Sequence, residues 1–432
     1  MSPSGSTYAP PSAVAAPSYR GVLAVEGMPR LVGAQLLART GQQMVIVALV
    51  LFTLARFGSG MAGLVVFLSI FPGLLASPFA GALLDRHGRI RLITLDYAVA
   101  AATVVLIVLL DHLGHLSAGL LCAVVALGSL TFPLSNSGTR ALYPMVLPRR
   151  LWDRANALDS SAYVIAAIVG PAVAGALVAL RGGAAALLVT GAVYAAAALV
   201  VLPVAEPAVG GHGRGLLRDA RDGIAYLMRS PSLRGLAVCL CVFNLGFGMV
   251  TVALPILVLG RLGGTAGEVG LLWALLGVGG LAGALVAGSF SSEARERQIL
   301  AGGMLLSVVG LATLAVAPGL LVAGLGMTLI GLSNGPTDIG LFALRQRRTH
   351  VQWMGRVFAV SMALNFSGYP IGGAIAGQLA GTSPRGAFAL ATLLALAGTA
   401  LGWWLIPARW EAAGTPAPDA VAVGAQIRAR PE

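Results

Sequence analysis

The chain alternates between long apolar runs and short joints rich in Arg, Gly and Pro. Twelve runs can be marked, at about 31–55, 61–84, 92–111, 117–143, 158–180, 183–204, 235–260, 266–290, 298–317, 319–343, 357–380 and 386–406. An α-helix needs roughly 20 residues to cross a hydrocarbon layer of about 30 Å, and each run has that reach. Inside lipid every backbone N–H and C=O needs a partner within the protein, so only helices or a closed barrel can span it. Barrel strands are about 10 residues long and alternate apolar with polar positions. These runs are longer and continuously apolar, so the pattern predicts twelve transmembrane helices. Glycines recur within them, as in Gly277-Val-Gly-Gly-Leu-Ala-Gly283, where small residues let helices approach closely.

Three stretches break the pattern. Residues 1–27 are rich in Ser, Pro and Ala and lack the apolar core of a signal peptide. Residues 407–432 are polar again, and both ends read as tails. The internal joint 205–234 is the longest. It mixes Leu216, Leu217, Ile224 and Leu227 with Arg214, Arg218, Asp219, Arg221 and Asp222, which predicts an amphipathic helix on the membrane surface. The expected domains are a tail 1–27, a six-helix bundle 28–204, the linking joint 205–234, a second six-helix bundle 235–406 and a tail 407–432.

Composition agrees with insertion. Of 432 residues, 57% are hydrophobic and only 10% are charged, against about 25% charged in soluble domains. The net charge of +12 comes from 28 Arg, with no Lys anywhere. Together with the Ala and Gly richness, that reads as the codon bias of a GC-rich genome. In a soluble chain such an excess would suggest a nucleic-acid partner; here the charge is topological and no nucleic acid is expected. The even-numbered joints hold 17 Arg, the odd-numbered ones four (Arg56, Arg181, Arg261, Arg385) and the tails five. Positive residues stay on the cytoplasmic side. A multi-pass protein of a bacterial cytoplasmic membrane with both termini in the cytoplasm is therefore expected.

The two halves repeat. Ser135-Asn-Ser-Gly-Thr-Arg140 in the fourth run matches Ser333-Asn-Gly-Pro-Thr-Asp338 in the tenth at an offset of 198. Gly170 and Gly175 in the fifth run match Gly372 and Gly377 in the eleventh at an offset of 202. Such duplication is a mark of secondary transporters whose halves rock about a central site. The expected fold is all-α and integral to the membrane, with two pseudo-symmetric six-helix bundles around a central cavity.

Between the second and third runs lies Gly81-Ala-Leu-Leu-Asp-Arg-His-Gly-Arg89. Its G-x-x-x-D-R-x-G-R pattern resembles the loop between helices 2 and 3 of major facilitator superfamily transporters. Gly170-Pro-Ala-Val-Ala-Gly175 resembles the G-P-x-x-G-G motif of exporters in that superfamily, with Ala174 in place of one glycine. Leu37-Ala-Arg-Thr-Gly41 resembles the start of helix 1 in drug and siderophore exporters of the macrolide-efflux type. The resemblance implies that Asp85 helps lock the cytoplasmic side shut against helix 11. Gly81, Arg86, Gly88 and Arg89 belong to the same gate, and Asp96 and Asp153 are candidate partners for the arginines. Gly288-Ser-Phe-Ser-Ser-Glu-Ala-Arg-Glu-Arg297, at the matching place in the second half, keeps charge but loses the pattern.

Other site candidates come from the residues. Arg140 and Asp338 face each other across the pseudo-two-fold axis, near the cytoplasmic ends of their helices, and would pair when the inner gate is closed. The alternative is that each reaches separately to the interface. Arg39 lies well inside the first run, followed by Gln42 and Gln43. An intramembrane charge is costly and marks function by default. It would bind an anionic substrate or pair with Asp338 or Asp96. Further substrate or coupling candidates are Asn136, Asn244 and Asn334. The embedded acids are Asp96, Asp338 and Asp159, all near cytoplasmic ends, so proton coupling is implied by the resemblance and not by these residues.

Several classes find no support. Cys122, Cys239 and Cys241 all lie in apolar runs and suggest neither disulfides nor a metal site. The phosphate-binding pattern G-x-x-x-x-G-K-[ST] is absent. No cofactor, no metal and no enzymatic activity are expected. The reading is a monomeric exporter of a small amphipathic drug or secondary metabolite, working by alternating access with proton exchange. A nutrient importer on the same fold, or a membrane receptor or scaffold without transport, are the alternatives.

Overall fold

The computed structural model describes residues 18–206, 216–289, 295–350 and 353–408. Within its helices, Gly81 and the side chains of Asp85, Arg140 and Asp153 lie outside the described residues. The described elements are helical: α1 (Tyr19–Leu23), α2 (Met28–Phe57), α3 (Ser59–His87), α4 (Arg89–His112), α5 (Ala118–Ser129), α6 (Phe132–Val146), α7 (Trp152–Arg181), α8 (Gly183–Val201), α9 (Leu216–Arg229), α10 (Pro231–Ile256), α11 (Ala266–Gly288), α12 (Glu296–Val316), α13 (Leu320–Arg347), α14 (Met354–Ala380) and α15 (Pro384–Leu405). Among the described residues eleven spans are long and apolar enough to cross a membrane, one of them running from α5 into α6. The twelfth long helix is α14, with 27 residues. Its apolar run is diluted by Ser361, Asn365, Ser367, Tyr369 and Pro370.

Short joints bring neighbouring helices antiparallel. Gly58 and Gly88 turn the chain between α2 and α3 and between α3 and α4 with φ of 85° and 87°. A side chain is strained at such angles, so glycine fits there. The entry to α11 is fixed differently. Thr265 and Glu268 form a reciprocal capping box that satisfies two free backbone N–H groups.

The packing is duplicated. In the first half α2 packs on α7 and α8, α4 on α6 and α8, and α3 on α5 and α6. In the second, α10 packs on α14 and α15, α12 on α13 and α15, and α11 on α13. The halves join where α7 meets α11 and where α3 meets α14, which are themselves counterparts.

Two spans depart from the sequence expectation. The fourth is a pair of helices, α5 and α6, and not one continuous rod. Pro133 has no N–H to continue the ladder, and around the break Leu130 and Leu134 bond to carbonyls only three residues back. The Ser129 carbonyl oxygen lies 2.3 Å from where a Cβ on Gly73 of α3 would stand. The seventh span ends in a π-helical turn, Leu257–Arg261, just after Pro255.

One end of the molecule carries the Arg-rich joints, the other the Arg-poor ones. The halves touch tightly towards the Arg-poor end. A Cβ on Gly175 of α7 would stand 2.5 Å from the Ala266 carbonyl oxygen and 2.7 Å from the Gly270 Cα of α11. A Cβ on Gly63 of α3 would stand 2.6 Å from the Gly373 carbonyl oxygen and 2.7 Å from the Gly377 Cα of α14. Towards the Arg-rich end they part. Asn156 and Ser160 continue the α7 stripe of Ala167, Pro171 and Gly175 that meets α11, yet both are exposed. Tyr163 on α7 and Phe366 on α14 are 50% and 49% exposed. A cavity between the halves thus opens at the Arg-rich end.

Candidate transport site

Arg39 does not stand alone in the first half. Its Nη2 donates to Asp159 Oδ1 in a close ion pair, and its guanidinium lies 5.5 Å from the centre of the Tyr163 ring. The two charged side chains are 15% and 7% exposed. Asp159, Tyr163 and Gly170 share the α7 face that packs on α2, so acid and ring reach the arginine together. The partners expected from sequence, Asp338 and Asp96, are elsewhere. Asp338 is on α13 in the other half, and Asp96 is buried against the hydroxyls of Ser135 and Thr131. Helix packing overrides the sequence choice, because α2 lies along α7.

More polar groups surround this pair. The Tyr97 hydroxyl lies near Thr139, and Tyr143 donates to Gln35 Oε1 at 2.6 Å. Gln42 and Gln43 are half-buried. The Gln43 Cβ packs over Gly170, 2.6 Å from where a Cβ there would stand. Asn136 is exposed on α6.

The second half holds a different cluster. Arg345 is completely buried, although its place in the sequence suggested a surface joint. The helix α13 runs on past position 343 to Arg347 and carries it inside. Its guanidinium lies 5.0 Å from the Phe358 ring centre and 5.8 Å from that of Phe342. Nη1 lies 2.8 Å from the Met362 sulfur. With the Asn365 amide turned to satisfy both its ends, its oxygen accepts from Arg345 Nη2 at 2.5 Å and its nitrogen donates to the Ser361 carbonyl at 3.0 Å. Asn244 of α10 donates to the Asn365 backbone carbonyl at 2.9 Å. The Arg345 Nε has no partner among the described residues.

Asp338 and Asn334 lie on the same face of α13 as Arg345, opposite the exposed Leu321 and Leu325. Asp338 is exposed and Asn334 is half-buried, 3.7 Å from where a Cβ on Gly280 would stand. Sequence reasoning found Asp338 and Asn334 but missed Arg345. A phenylalanine three residues before it, on the same helix, was the available signal.

The expected loop is a single-residue turn at Gly88, since Asp85, Arg86 and His87 belong to the last turn of α3, and the start of α4 is tied down by a residue outside the motif. Arg89 Nη1 donates to Glu206 Oε1 at 3.4 Å, and the Ile90 N–H donates to Glu206 Oε2 at 3.0 Å. Glu206 follows the sixth span, whose end returns beside the start of α4. A carboxylate there meets free N–H groups and the positive helix end. This replaces Asp96 as partner; Asp153 falls outside the described side chains. Arg86 is exposed. In the second half Arg297 donates to the Ile406 carbonyl at 3.0 Å and stacks 4.1 Å from the Trp403 ring centre. The pattern is lost there, but an arginine at the start of α12 still holds the chain after the twelfth span.

The glycine motif has two distinct jobs. Gly170 meets α2 of its own half, while Gly175 meets α11 across the seam. Their repeats behave alike. A Cβ on Gly372 would stand 2.0 Å from the Leu245 carbonyl oxygen of α10, within the half, and Gly377 meets Gly63 across the seam. Pro171 and Ala174 are buried between them, the Pro171 carbonyl facing Gly270.

Duplicated helix packing, glycine seams between halves and the tethered loop now coincide with a sequence match. The family model described as Major Facilitator Superfamily matches residues 31–373. The chain belongs to the major facilitator superfamily. It is 39% identical over 378 residues to the MFS-type transporter y4rN of Sinorhizobium fredii, covering 87% of this chain and 93% of that protein. It is 26% identical over 359 residues to the multidrug efflux pump Tap of Mycolicibacterium fortuitum, covering 80% and 87%. Among solved structures, the nucleoside transporter NupG (D323A mutant) superposes with a TM-score of 0.72 at 10% identity, covering 88% of this chain and 99% of that one. At that identity the likeness speaks for the fold alone. As a member of this superfamily the chain is a multi-pass membrane transporter of small molecules, a family of transporters and not of enzymes.

Proposed function

We propose that this protein exports a small amphipathic molecule, a drug or secondary metabolite, from the bacterial cytoplasm. Both termini and the Arg-rich end face the cytoplasm, following the arginine distribution. It works as a monomer in exchange for protons. The observation that carries the reading is the motif Gly170–Gly175: it sits at the seam that closes the Arg-poor end, and the efflux pump Tap is among the relatives of the whole chain. In this orientation the described conformation is open to the cytoplasm, ready to load a substrate.

The inner gate is formed by Arg140 and Asp338, paired when the cytoplasmic side closes, with Asp85, Arg86 and Arg89 completing the charged rim. Asp338 is exposed at the open end and available for such a partner. Single substitutions of either residue abolish export; the exchanged pair Arg140→Asp with Asp338→Arg restores it. Absence of rescue removes the pairing.

The deciding experiment is a drug-accumulation screen in an efflux-deficient bacterial host. Expression lowers accumulation of at least one compound, and collapse of the pH gradient reverses the effect. Raised accumulation would reverse the direction, and indifference to the gradient would remove proton exchange.

A further inference from the structure

Arg39 rests on a carboxylate and over an aromatic ring. Those are the two elements that hold an organic cation: a countercharge and a π face. Asp159 supplies the first and Tyr163 the second. Tyr163 is half exposed towards the cavity between the halves, beside the exposed Asn156 and Ser160, so the ring can be reached from the open end. The guanidinium is much less exposed than the ring it covers. The nearby groups Gln42, Gln43 and Tyr97 bring no further charge.

We propose that Asp159 and Tyr163 form a binding site for an amphipathic organic monocation, and that Arg39 is its built-in competitor, occupying the site when no substrate is bound. This rests on the transporter reading above and names the substrate class. A cation entering from the cavity takes the exposed face of Tyr163 and displaces the guanidinium from Asp159. The flexible stem of Arg39 lets its head withdraw towards Gln42 and the water of the cavity. The Asp159 carboxylate then has a countercharge whether the site is loaded or empty, and the extra positive charge of the loaded state is left to the cavity water around Arg39.

The test is binding of radiolabelled tetraphenylphosphonium to the purified full-length protein in detergent, on the monodisperse fraction of each variant. Asp159→Asn weakens binding at least about tenfold, since it removes the countercharge. Tyr163→Ala weakens it about threefold or more, and Tyr163→Phe leaves it nearly unchanged. Arg39→Gln strengthens binding about tenfold, because the competitor is gone. The opposite signs at the two ends of one ion pair are the signature; a purely structural bridge would weaken binding from either end. Weaker or unchanged binding in Arg39→Gln, wild-type affinity in Asp159→Asn, or no binding by wild type and Arg39→Gln alike would overturn the site. Vesicle assays separate this from the export reading. A compound expelled equally by wild type and Asp159→Asn overturns the cation site and leaves export standing. The expected binding pattern without any export supports the site and overturns export alone.

Discussion

In the first half Arg39 lies against the carboxylate of Asp159; in the second, Arg345 lies among Met362, Phe342, Phe358 and Asn365. The helices that hold the two clusters correspond only in part, whereas Gly170 and Gly175 of α7 each have a counterpart on α14 with the same contact. Gly170 and Gly372 each touch the first helix of their own half, and Gly175 and Gly377 each touch the other half. The contrast is physical. Where backbone meets backbone there is no volume for a side chain, so both copies keep glycine. A buried cation needs only some set of acceptors and ring faces, and the two copies have found different sets.

The largest expected effect is at the seam. Leucine at Gly175 would put its Cβ into the α11 backbone, which cannot yield as a flexible side chain does. Overpacking of this kind costs about 1–3 kcal/mol, and the upper figure is roughly a hundredfold in an equilibrium. Initial transport rates in vesicles should fall by about that factor in folded protein. Gly170→Leu, which strikes α2 within the half, should instead lower the unfolding temperature. If the two variants behave alike, the division between seam and bundle positions is lost.

Next comes the contrast between cations. Asp159→Asn takes the countercharge from Arg39 and should cost about 1–2 kcal/mol of unfolding free energy, less than a sealed buried charge would, because the part-exposed guanidinium can withdraw to the cavity water. Arg345→Met removes a cation that has no carboxylate partner among the described residues, so it should be near neutral or stabilising. Steric-trapping measurements in micelles read both. Equal losses would mean that Arg345 has a compensating charge after all.

Smallest are the surface ties. Glu206→Gln loosens a partly buried tether with two donors and should cost about 1 kcal/mol. Glu296→Gln disturbs its ion pair with Arg347, whose side chain is 45% exposed, and should cost less than about 0.5 kcal/mol. Thermal unfolding in detergent distinguishes the two if the buried tether is the stronger.

What could be read from sequence follows the same division. Twelve spans and the glycine repeat were legible, because run length and the five-residue spacing of Gly170 and Gly175 are local patterns. The partner of Arg39 was not, because it lies 120 residues away and several acids were on offer. Only the packing of α2 on α7 chooses among them. Glu206 was passed over as part of a joint, since nothing local says that the sixth span ends beside the start of α4. Arg345 reads from sequence as a surface arginine, because the apolar run of the tenth span stops before it. The break between α5 and α6 was hidden by apolar residues on both sides of Pro133.

That break has a mechanical consequence. A continuous helix transmits a tilt along its whole length, whereas two rods joined by a pin do not. At the junction of α5 and α6 the regular ladder is already given up, so changing the angle there sacrifices little further bonding. The rod α6, which carries Asn136 and Arg140, can change its angle against α3 and α4 while α5 keeps its place against α3. Compliance is thus built into the fourth span, and the mouth at the Arg-rich end can be worked without levering open the seal at the Arg-poor end.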